Sequence, residues 1–257
     1  MAPEALMVGL QELKLKSWGK ALSEDLGSMK GPDRELITKY LSQWIMREKS
    51  ERKTQMIQNR VRSAKFRRLQ TVESFDFRHS KTTEKLENAY MALYQSVSKD
   101  NLPSAVFTGH AGTGKTHLAR SLGYAACQKG LTVLFVSAAQ MVNHLEHAQK
   151  SYNLEAELNR YRKPQLLIID ELGYVTLDTQ ASNLFFQVIS SRHDAELGTI
   201  ATTNLPFGKF NTIFANDAIA HAIVDRLVNE AEVFYMEGES YRPHQRQEKL
   251  KRKKQNA

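Results

Sequence analysis

The sequence has 257 residues, 41% of them hydrophobic and 25% charged, a balance typical of globular proteins. Its single cysteine, Cys127, excludes an internal disulfide and a thiolate metal cluster. The first residues carry no secretion signal, and no apolar run approaches the roughly 20 residues that cross a bilayer. We therefore expect a cytoplasmic protein.

The net charge of +8 is concentrated in two stretches. Residues 47–68 hold nine lysines and arginines against two glutamates, and residues 242–257 hold seven against one. Such concentration is typical of contact with a polyanion such as nucleic acid. A solvated helix face followed by a disordered tail fits the charge runs equally well.

Residues 1 to 70 read as a helical N-terminal domain. Leucines at 6, 10 and 13 predict a first short helix, and Asp33 is the expected N-cap of the next one. Apolar residues from Ile37 to Ile45 recur at helical spacing, and the helix can continue through the basic stretch. Trp18 and Trp44 fall in apolar patterns and are predicted to be core residues. A linker at 71–80 and a helix at 83–97 follow.

From Leu102 onward, short apolar strands alternate with helices, which predicts an α/β fold with a parallel sheet between helices. Residues 71–241 are thus predicted to form the linker and core domain, and 242–257 a basic tail. The candidate strands are 105–108, 132–137, 165–170, 199–202 and 232–236, and the candidate helices are 115–128, 138–149, 153–162, 179–193 and 217–230.

The segment Gly109–Thr116 matches the phosphate-binding pattern G-x-x-x-x-G-K-[ST] between a predicted strand and helix. Glycines let the backbone curl so that its N–H groups face a phosphate chain, and the helix start adds its dipole. Lys115 is expected to reach the β- and γ-phosphates, and the Thr116 hydroxyl to ligate Mg²⁺. The predicted nucleotide-binding residues are Gly109, His110, Ala111, Gly112, Thr113, Gly114, Lys115, Thr116 and His117.

A buried strand ends in Asp170-Glu171. Asp170 is expected to hold Mg²⁺ through water, and Glu171 to orient and deprotonate the attacking water. The same residues fit the D-x-x-G sequence of GTPases, but an Asn-Lys-x-Asp element that reads guanine is missing, so the prediction is ATP.

Three further features have competing interpretations. Asn204, after the next strand, could hold the attacking water or the γ-phosphate, or simply sit in a turn. Arg226 could stabilise transition-state charge in a neighbouring subunit, although periodicity alone favours a surface ion pair. Phe75 and Phe77 could flank the adenine ring or pack the linker.

His144 and His147 lack the spacing of a zinc motif.

The combined motifs resemble the AAA+ ATPases, and within them the IstB-type transposition helpers. The resemblance rests on Leu172-Gly173-Tyr174 after the acidic pair, on 200–207 (IATTNLPF), and on the run from Asp225-Arg226-Leu227 to Arg242. It covers nearly the whole chain. DnaC-like helicase loaders share much of the pattern.

The resemblance implies roles that spacing does not reveal. Asn204 would be sensor 1, Arg226 an arginine finger acting across a subunit interface, and Arg242 a nucleotide-contacting sensor 2. It implies an ATP-dependent homo-oligomer, a ring or helix, on duplex DNA, which recruits and stimulates a transposase at the target. The chain after Met236 is too short for the helical C-terminal lid of many AAA+ proteins, which puts the role of Arg242 in doubt.

DNA contact is predicted for two groups of basic residues. The insertion at 138–162 resembles the element that faces DNA in initiator-type AAA+ proteins, and the basic segment 47–68 precedes the core. We expect phosphate contacts with weak sequence preference. The residues are Lys150, Arg160, Arg162 and Lys163 in or after the insertion, and Arg60, Arg62, Lys65, Arg67 and Arg68 in the basic segment.

Two alternatives remain open. A DnaC-like loader would deliver a ring helicase to DNA. A small-molecule P-loop kinase would need a substrate pocket and an arginine-bearing lid, which the sequence does not indicate, and it leaves the basic segments unexplained.

Overall fold

The structure, a computed structural model, describes residues 3–241 and 243. Its contacts divide the chain into two compact units, Met1–Asn59 and Arg60–Ala257. Arg242 and the rest of the basic tail, apart from Pro243, lie outside the described residues. The domain limits at residues 70 and 241 stay a prediction. No helix in the described part of the chain is long and apolar enough to cross a membrane.

The first unit is built from helices α1 (Pro3–Glu12), α2 (Lys16–Ser28) and α3 (Gly31–Ser63) as far as Asn59. The predicted leucines form its core together with residues of the two later helices, since Leu6, Leu10, Leu13, Leu26 and Ile45 are all buried. Helix α3 continues into the basic stretch, as predicted, but it ends at Ser63, before Lys65, Arg67 and Arg68.

Two predictions for this unit are wrong. Asp33 does not cap α3: the helix begins at Gly31, and Asp33 lies in its first turn, where Pro32 costs no hydrogen bond because the first N–H groups have no helical partner. Trp18 and Trp44 are not core residues, since they are 64% and 63% exposed.

The second unit contains a five-stranded, all-parallel sheet in the order β2-β3-β4-β1-β5. Its strands are β1 (Ala105–Gly109), β2 (Val133–Ser137), β3 (Leu166–Asp170), β4 (Gly198–Thr203) and β5 (Glu232–Met236). Its helices are α4 (Lys81–Ser96), α5 (Lys115–Gln128), α6 (Ala138–Lys150), α7 (Leu154–Arg162), α8 (Thr179–Asp194) and α9 (Asp217–Val228). The α/β fold is confirmed, and all five predicted strands and all five predicted helices of this region are present.

Both faces of the sheet are covered, because successive strand residues alternate between two core clusters. Leu167 and Ile169 pack on one face with α6, α8 and α9, whereas Leu166 and Ile168 pack on the other with α4 and α5. A parallel strand buried on both sides needs this continuous apolar run. The carboxyl ends of β1, β3 and β4, which are neighbours, therefore open at one edge, where such sheets bind ligands.

Candidate functional site

The loop between β1 and α5 follows a path that requires glycine. Gly109, Gly112 and Gly114 have φ values of 137°, 82° and 99°, in the region that L side chains rarely adopt. A Cβ on Gly109 would lie 2.1 Å from the Met236 carbonyl oxygen of β5. The glycines thus fix the loop tightly against the sheet edge.

Lys115 folds back over this loop. Its Nζ donates to the carbonyl oxygens of Gly109, at 2.7 Å, and His110, at 2.5 Å. The Thr113 hydroxyl donates to the same His110 carbonyl at 2.9 Å. The ammonium group is therefore held over the loop, at the start of α5, where an anion would also meet the helix dipole.

Asp170 is the most enclosed carboxylate of the site, with a side chain only 6% exposed. Its Oδ1 accepts the hydroxyl protons of Thr116, at 2.7 Å, and Thr202, at 2.6 Å. Its Oδ2 lies 3.9 Å from the Arg120 guanidinium. The two candidate magnesium ligands, Thr116 and Asp170, are thus in direct contact, and oxygen donors of this kind suit Mg²⁺.

Glu171 has a left-handed backbone, with φ 62° and ψ 37°, which is uncommon for a residue other than glycine. Its N–H donates to the Thr202 hydroxyl at 3.0 Å. This turn leaves the Glu171 side chain exposed beside the cleft, while Asp170 points inward. Because of this backbone conformation, the Asp170 carboxylate is buried while the Glu171 carboxylate is exposed.

Asn204 lies at the end of β4, which separates β1 from β3 as the ATPase-type strand order requires. Its Oδ1 is buried and has no hydrogen-bond partner within the described part of the chain. A Cβ on Gly173 would lie 2.0 Å from that oxygen. The turn after Glu171 therefore packs directly on the Asn204 amide.

The segment 64–77, here called the strap, passes along the same site. The Phe75 ring covers Gly114, whose Cβ would meet Phe75 Cε2 at 2.4 Å, and it contacts the His117 ring at a centroid distance of 5.2 Å. Phe77 instead packs in the core against Tyr90. Of the two candidate adenine neighbours, Phe75 alone lines the cleft.

His117 ties α5 to the strap. Its Nε2 lies 2.9 Å from the Thr71 carbonyl oxygen and 3.2 Å from the Ser74 hydroxyl. Burial lowers the pKa of His117 below its usual value, because a charged ring is poorly solvated there. The neutral ring is consistent with donation to Thr71.

These elements enclose one cleft of about 500 Å³, within the size range of small-ligand sites. Ser240 and Tyr241 close its side: Tyr241 N–H donates to the Gly112 carbonyl at 3.0 Å, and Tyr241 also stacks edge-on with His79. The predicted residues that line the cleft are Ala111, Gly112, Thr113, Gly114, Lys115, Thr116, His117, Asp170, Glu171 and Asn204.

Arg226 lies outside this cleft, on α9. Its Nη1 donates to the Ala222 carbonyl at 3.1 Å, and its guanidinium lies 4.9 Å from the centre of the Phe186 ring. The side chain is partly buried. The structure thus holds Arg226 against α8 and separates it from the chain's own phosphate loop.

The basic residues have several kinds of surroundings. Arg160 and Arg162 pair with glutamates of their own helix, at 2.7 Å and 3.2 Å, whereas Lys150 and Lys163 are exposed. In the basic segment, Arg62 and Lys65 are exposed and Arg60 is partly buried. Arg67 and Arg68 are exposed but line the nucleotide cleft, a position that their charge did not reveal.

Several other residues of the cleft were not predicted from the sequence, among them Gln70, Arg120 and Thr202. Arg120 follows Thr116 by four residues, so helical spacing alone places both on one face of α5. Thr202 follows the strand pattern and could have been found from the register of β4 beside β3. Gln70 has no sequence signal. Among the described residues no group of three potential ligands forms a metal site of its own, and His144 contacts the Tyr161 hydroxyl.

The family model described as IstB-like ATP binding protein matches residues 8–249. The ATP-binding protein of insertion sequence IS232 from Bacillus thuringiensis subsp. berliner is 32% identical over 240 residues, 93% of this chain and 94% of the relative. That of IS5376 from Geobacillus stearothermophilus is 33% identical over 218 residues, 85% of each chain.

Solved structures show the same fold at low identity. The DnaC helicase loader has a TM-score of 0.56 at 18% identity, covering 65% of this chain and 96% of that one. AMPPCP-bound DnaA from Aquifex aeolicus has a TM-score of 0.54 at 17% identity, covering 65% of this chain and 50% of that one. The family match, which spans nearly the whole sequence, shows that the chain belongs to the IstB-like ATP-binding proteins of insertion sequences, and its core has the fold of DnaC and DnaA.

Proposed function

We propose that this chain is a Mg²⁺-dependent ATPase that assembles with ATP on duplex DNA and acts as a transposition helper, selecting the target and recruiting or stimulating a transposase. The observation that carries the ATPase part is the contact of Thr116 with Asp170 beside the phosphate loop. The insertion-sequence relatives support the transposition part.

In this proposal each residue of the cleft has a defined task. The N–H groups of Gly109–His117 and the Lys115 ammonium hold the phosphates, and Thr116 and Asp170 hold Mg²⁺, which supplies charge neutralisation at the β- and γ-phosphates. Glu171 accepts a proton from the attacking water. Asn204, with its unpartnered buried oxygen, fixes that water or the γ-phosphate.

Arg226 acts in this proposal on the cleft of a neighbouring subunit. Arg226 does not line its own cleft, which supports that role, and a guanidinium in the neighbouring cleft would stabilise the charge that develops in the transition state. The proposed sensor 2 role of Arg242 lies outside the described residues.

The nucleotide roles are tested with paired variants. Lys115→Ala should abolish binding of a fluorescent ATP analogue, whereas Lys129→Ala, an exposed lysine at the end of the same helix, should bind normally. Glu171→Gln should bind ATP and hydrolyse it slowly. Its control is Glu196→Gln, an exposed glutamate that also has a positive φ of 53°. Normal turnover by Glu171→Gln would exclude it as the base.

The interfacial role of Arg226 needs a mixing experiment. Arg226→Ala and Glu171→Gln are each expected to be nearly inactive alone. Mixed subunits should regain turnover, because some interfaces then combine an intact finger with an intact base. Absence of recovery at every ratio would contradict an interfacial finger.

DNA binding is proposed through the exposed basic residues Arg62, Lys65, Lys150 and Lys163 and the partly buried Arg60. Arg67 and Arg68 contribute at the cleft edge, and Arg160 and Arg162 are less available because of their glutamate partners. Fluorescence anisotropy with duplex DNA should show ATP-dependent binding that weakens steeply with salt. Combined Arg62→Ala and Lys65→Ala should reduce the salt slope by about two, whereas Lys209→Ala should not. A salt-independent affinity would argue against phosphate contact.

The second candidate is a DnaC-like helicase loader, favoured by the structural likeness to the DnaC helicase loader. Pull-down with a purified replicative helicase and with the transposase of the same insertion sequence separates the two. Binding to the helicase alone would replace our proposal.

A further inference from the structure

The strap physically connects the basic segment to the nucleotide site. Phe135 N–H of β2 donates to the Ala64 carbonyl at 2.8 Å, and Phe66 packs on the Phe135 ring with centroids 6.0 Å apart. Arg67 and Arg68 follow at the cleft edge. Arg67 and Arg68 therefore lie between two anchored parts of the strap. Ala64 and Phe66 contact β2 on one side, and Thr71 and Phe75 contact α5 and the phosphate loop on the other.

The Arg120 side chain contacts both the strap and Asp170. Its Nη1 donates to Gln70 Oε1 at 3.0 Å, its Nη2 lies 3.9 Å from Asp170 Oδ2, and its guanidinium lies 4.6 Å from the centre of the Phe135 ring. The side chain is only 12% exposed. The Phe135 ring and the Gln70 amide together hold the Arg120 guanidinium beside the Asp170 carboxylate.

The two oxygens of Asp170 have different partners. Oδ1 is engaged by the hydroxyls of Thr116 and Thr202, while Oδ2 faces Arg120. At 3.9 Å the guanidinium is too far from Oδ2 for a hydrogen bond, but its positive charge attracts the carboxylate. The same charge would repel a metal ion at Asp170, and the Gln70 side chain helps to keep Arg120 in this position.

We propose that Arg120 is a positioning residue that links the strap to Asp170: when a polyanion engages Arg67 and Arg68, the strap and Gln70 shift, Arg120 withdraws from Asp170, and Oδ2 becomes available to Mg²⁺. The polyanion-dependent part rests on the proposed function. The Arg120–Asp170 part rests only on the proposed Mg²⁺ site and not on DNA binding: nucleotide binding by the wild type that ignores Mg²⁺ would refute both, whereas a Mg²⁺-dependent wild type with an unchanged Arg120→Gln would refute the inference alone.

The first experiment titrates Mg²⁺ against binding of a fluorescent, non-hydrolysable ATP analogue, without DNA. Arg120→Gln should lower the Mg²⁺ concentration for half-maximal binding about tenfold, because a nearby positive charge is removed. Arg120→Lys, which keeps the charge, should stay within about twofold of the wild type, and Gln187→Ala, an exposed glutamine on α8, should not change. An unaltered Mg²⁺ dependence in Arg120→Gln overturns the inference.

The second experiment repeats the titration with a saturating plain duplex. In the wild type, DNA should lower the half-maximal Mg²⁺ concentration severalfold, and in Gln70→Ala this ratio should approach one. An equal DNA effect in both proteins refutes the strap linkage. If the wild type neither binds DNA nor responds to it, the proposed function and the strap linkage both fail, while the first experiment still decides whether Arg120 acts on Asp170.

Discussion

Thr202→Val is the sharpest test of how the acidic pair is held. Thr202 is 1% exposed, and its hydroxyl donates to Asp170 at 2.6 Å and accepts from the Glu171 N–H at 3.0 Å. Valine keeps the shape and suits a strand, but it removes a hydrogen bond to a carboxylate and leaves an amide without its partner. Because the first costs about 1.5–3 kcal/mol and the second about 1–3 kcal/mol, we expect a loss of about 3 kcal/mol.

The measurement is urea unfolding followed by circular dichroism, with an unchanged slope and a lower midpoint. Thr202→Ser is the control, since it keeps the hydroxyl and loses one methyl group, at a cost of about 1 kcal/mol. ATP turnover should fall about tenfold or more in the valine variant, because Asp170 loses a partner that orients it. If Thr202→Val were as stable as Thr202→Ser, the hydroxyl would not hold the site together.

Three further outcomes are expected. Gly109→Ala should destabilise the protein by about 3 kcal/mol or more, because it combines a φ of 137° with a Cβ 2.1 Å from the Met236 carbonyl oxygen. In a thermal unfolding scan of both variants, Gly208→Ala should have little effect, since a Cβ there meets no atom within 4 Å. The lowered pKa of His117 means that the native state binds its proton less readily than the unfolded chain, so the free energy of unfolding should fall as pH drops below about 6.5. That decline should be shallower in His117→Gln, and equal slopes would remove His117 as its source. Arg192→Met should cost about 3 kcal/mol in urea unfolding, since fully buried Arg192 donates to the carbonyls of Tyr161 and Pro164; a stability equal to the wild type would show that this network is neutral.

Much of the larger unit could be predicted because its signals are local. Each strand of the core is an apolar run between turns, and the phosphate-loop pattern has a strand before it and a helix after it. Asn204 directly follows the predicted strand 199–202, and because β4 lies between β1 and β3 this strand end opens at the cleft.

The wrong prediction for Trp44 arises because the apolar residues of α3 fit two different buried faces. On α3 two adjacent apolar stripes exist: Ile37, Leu41 and Ile45 pack with the unit's core, while Leu36, Tyr40 and Trp44 are exposed. Helical spacing alone cannot choose between stripes that differ by one residue, because the choice depends on which side the neighbouring helices cover.

Arg67 and Arg68 show the second limit. Their charge predicts contact with a polyanion, but their place at the cleft follows from long-range contacts, such as Ala64 with Phe135 and Gln70 with Arg120, that join residues far apart in the sequence. Only the folded chain reveals that the basic segment lies beside the cleft that contains Asp170.

The exposed tryptophans have a practical consequence. Trp18 and Trp44 are the chain's two tryptophans, and both belong to the unit Met1–Asn59. Intrinsic tryptophan emission therefore reports on the small helical unit, while the buried Tyr90 and Tyr161 contribute near-ultraviolet signals from the larger unit. Two such probes recorded on one denatured sample will show whether the two units melt as one cooperative system or separately.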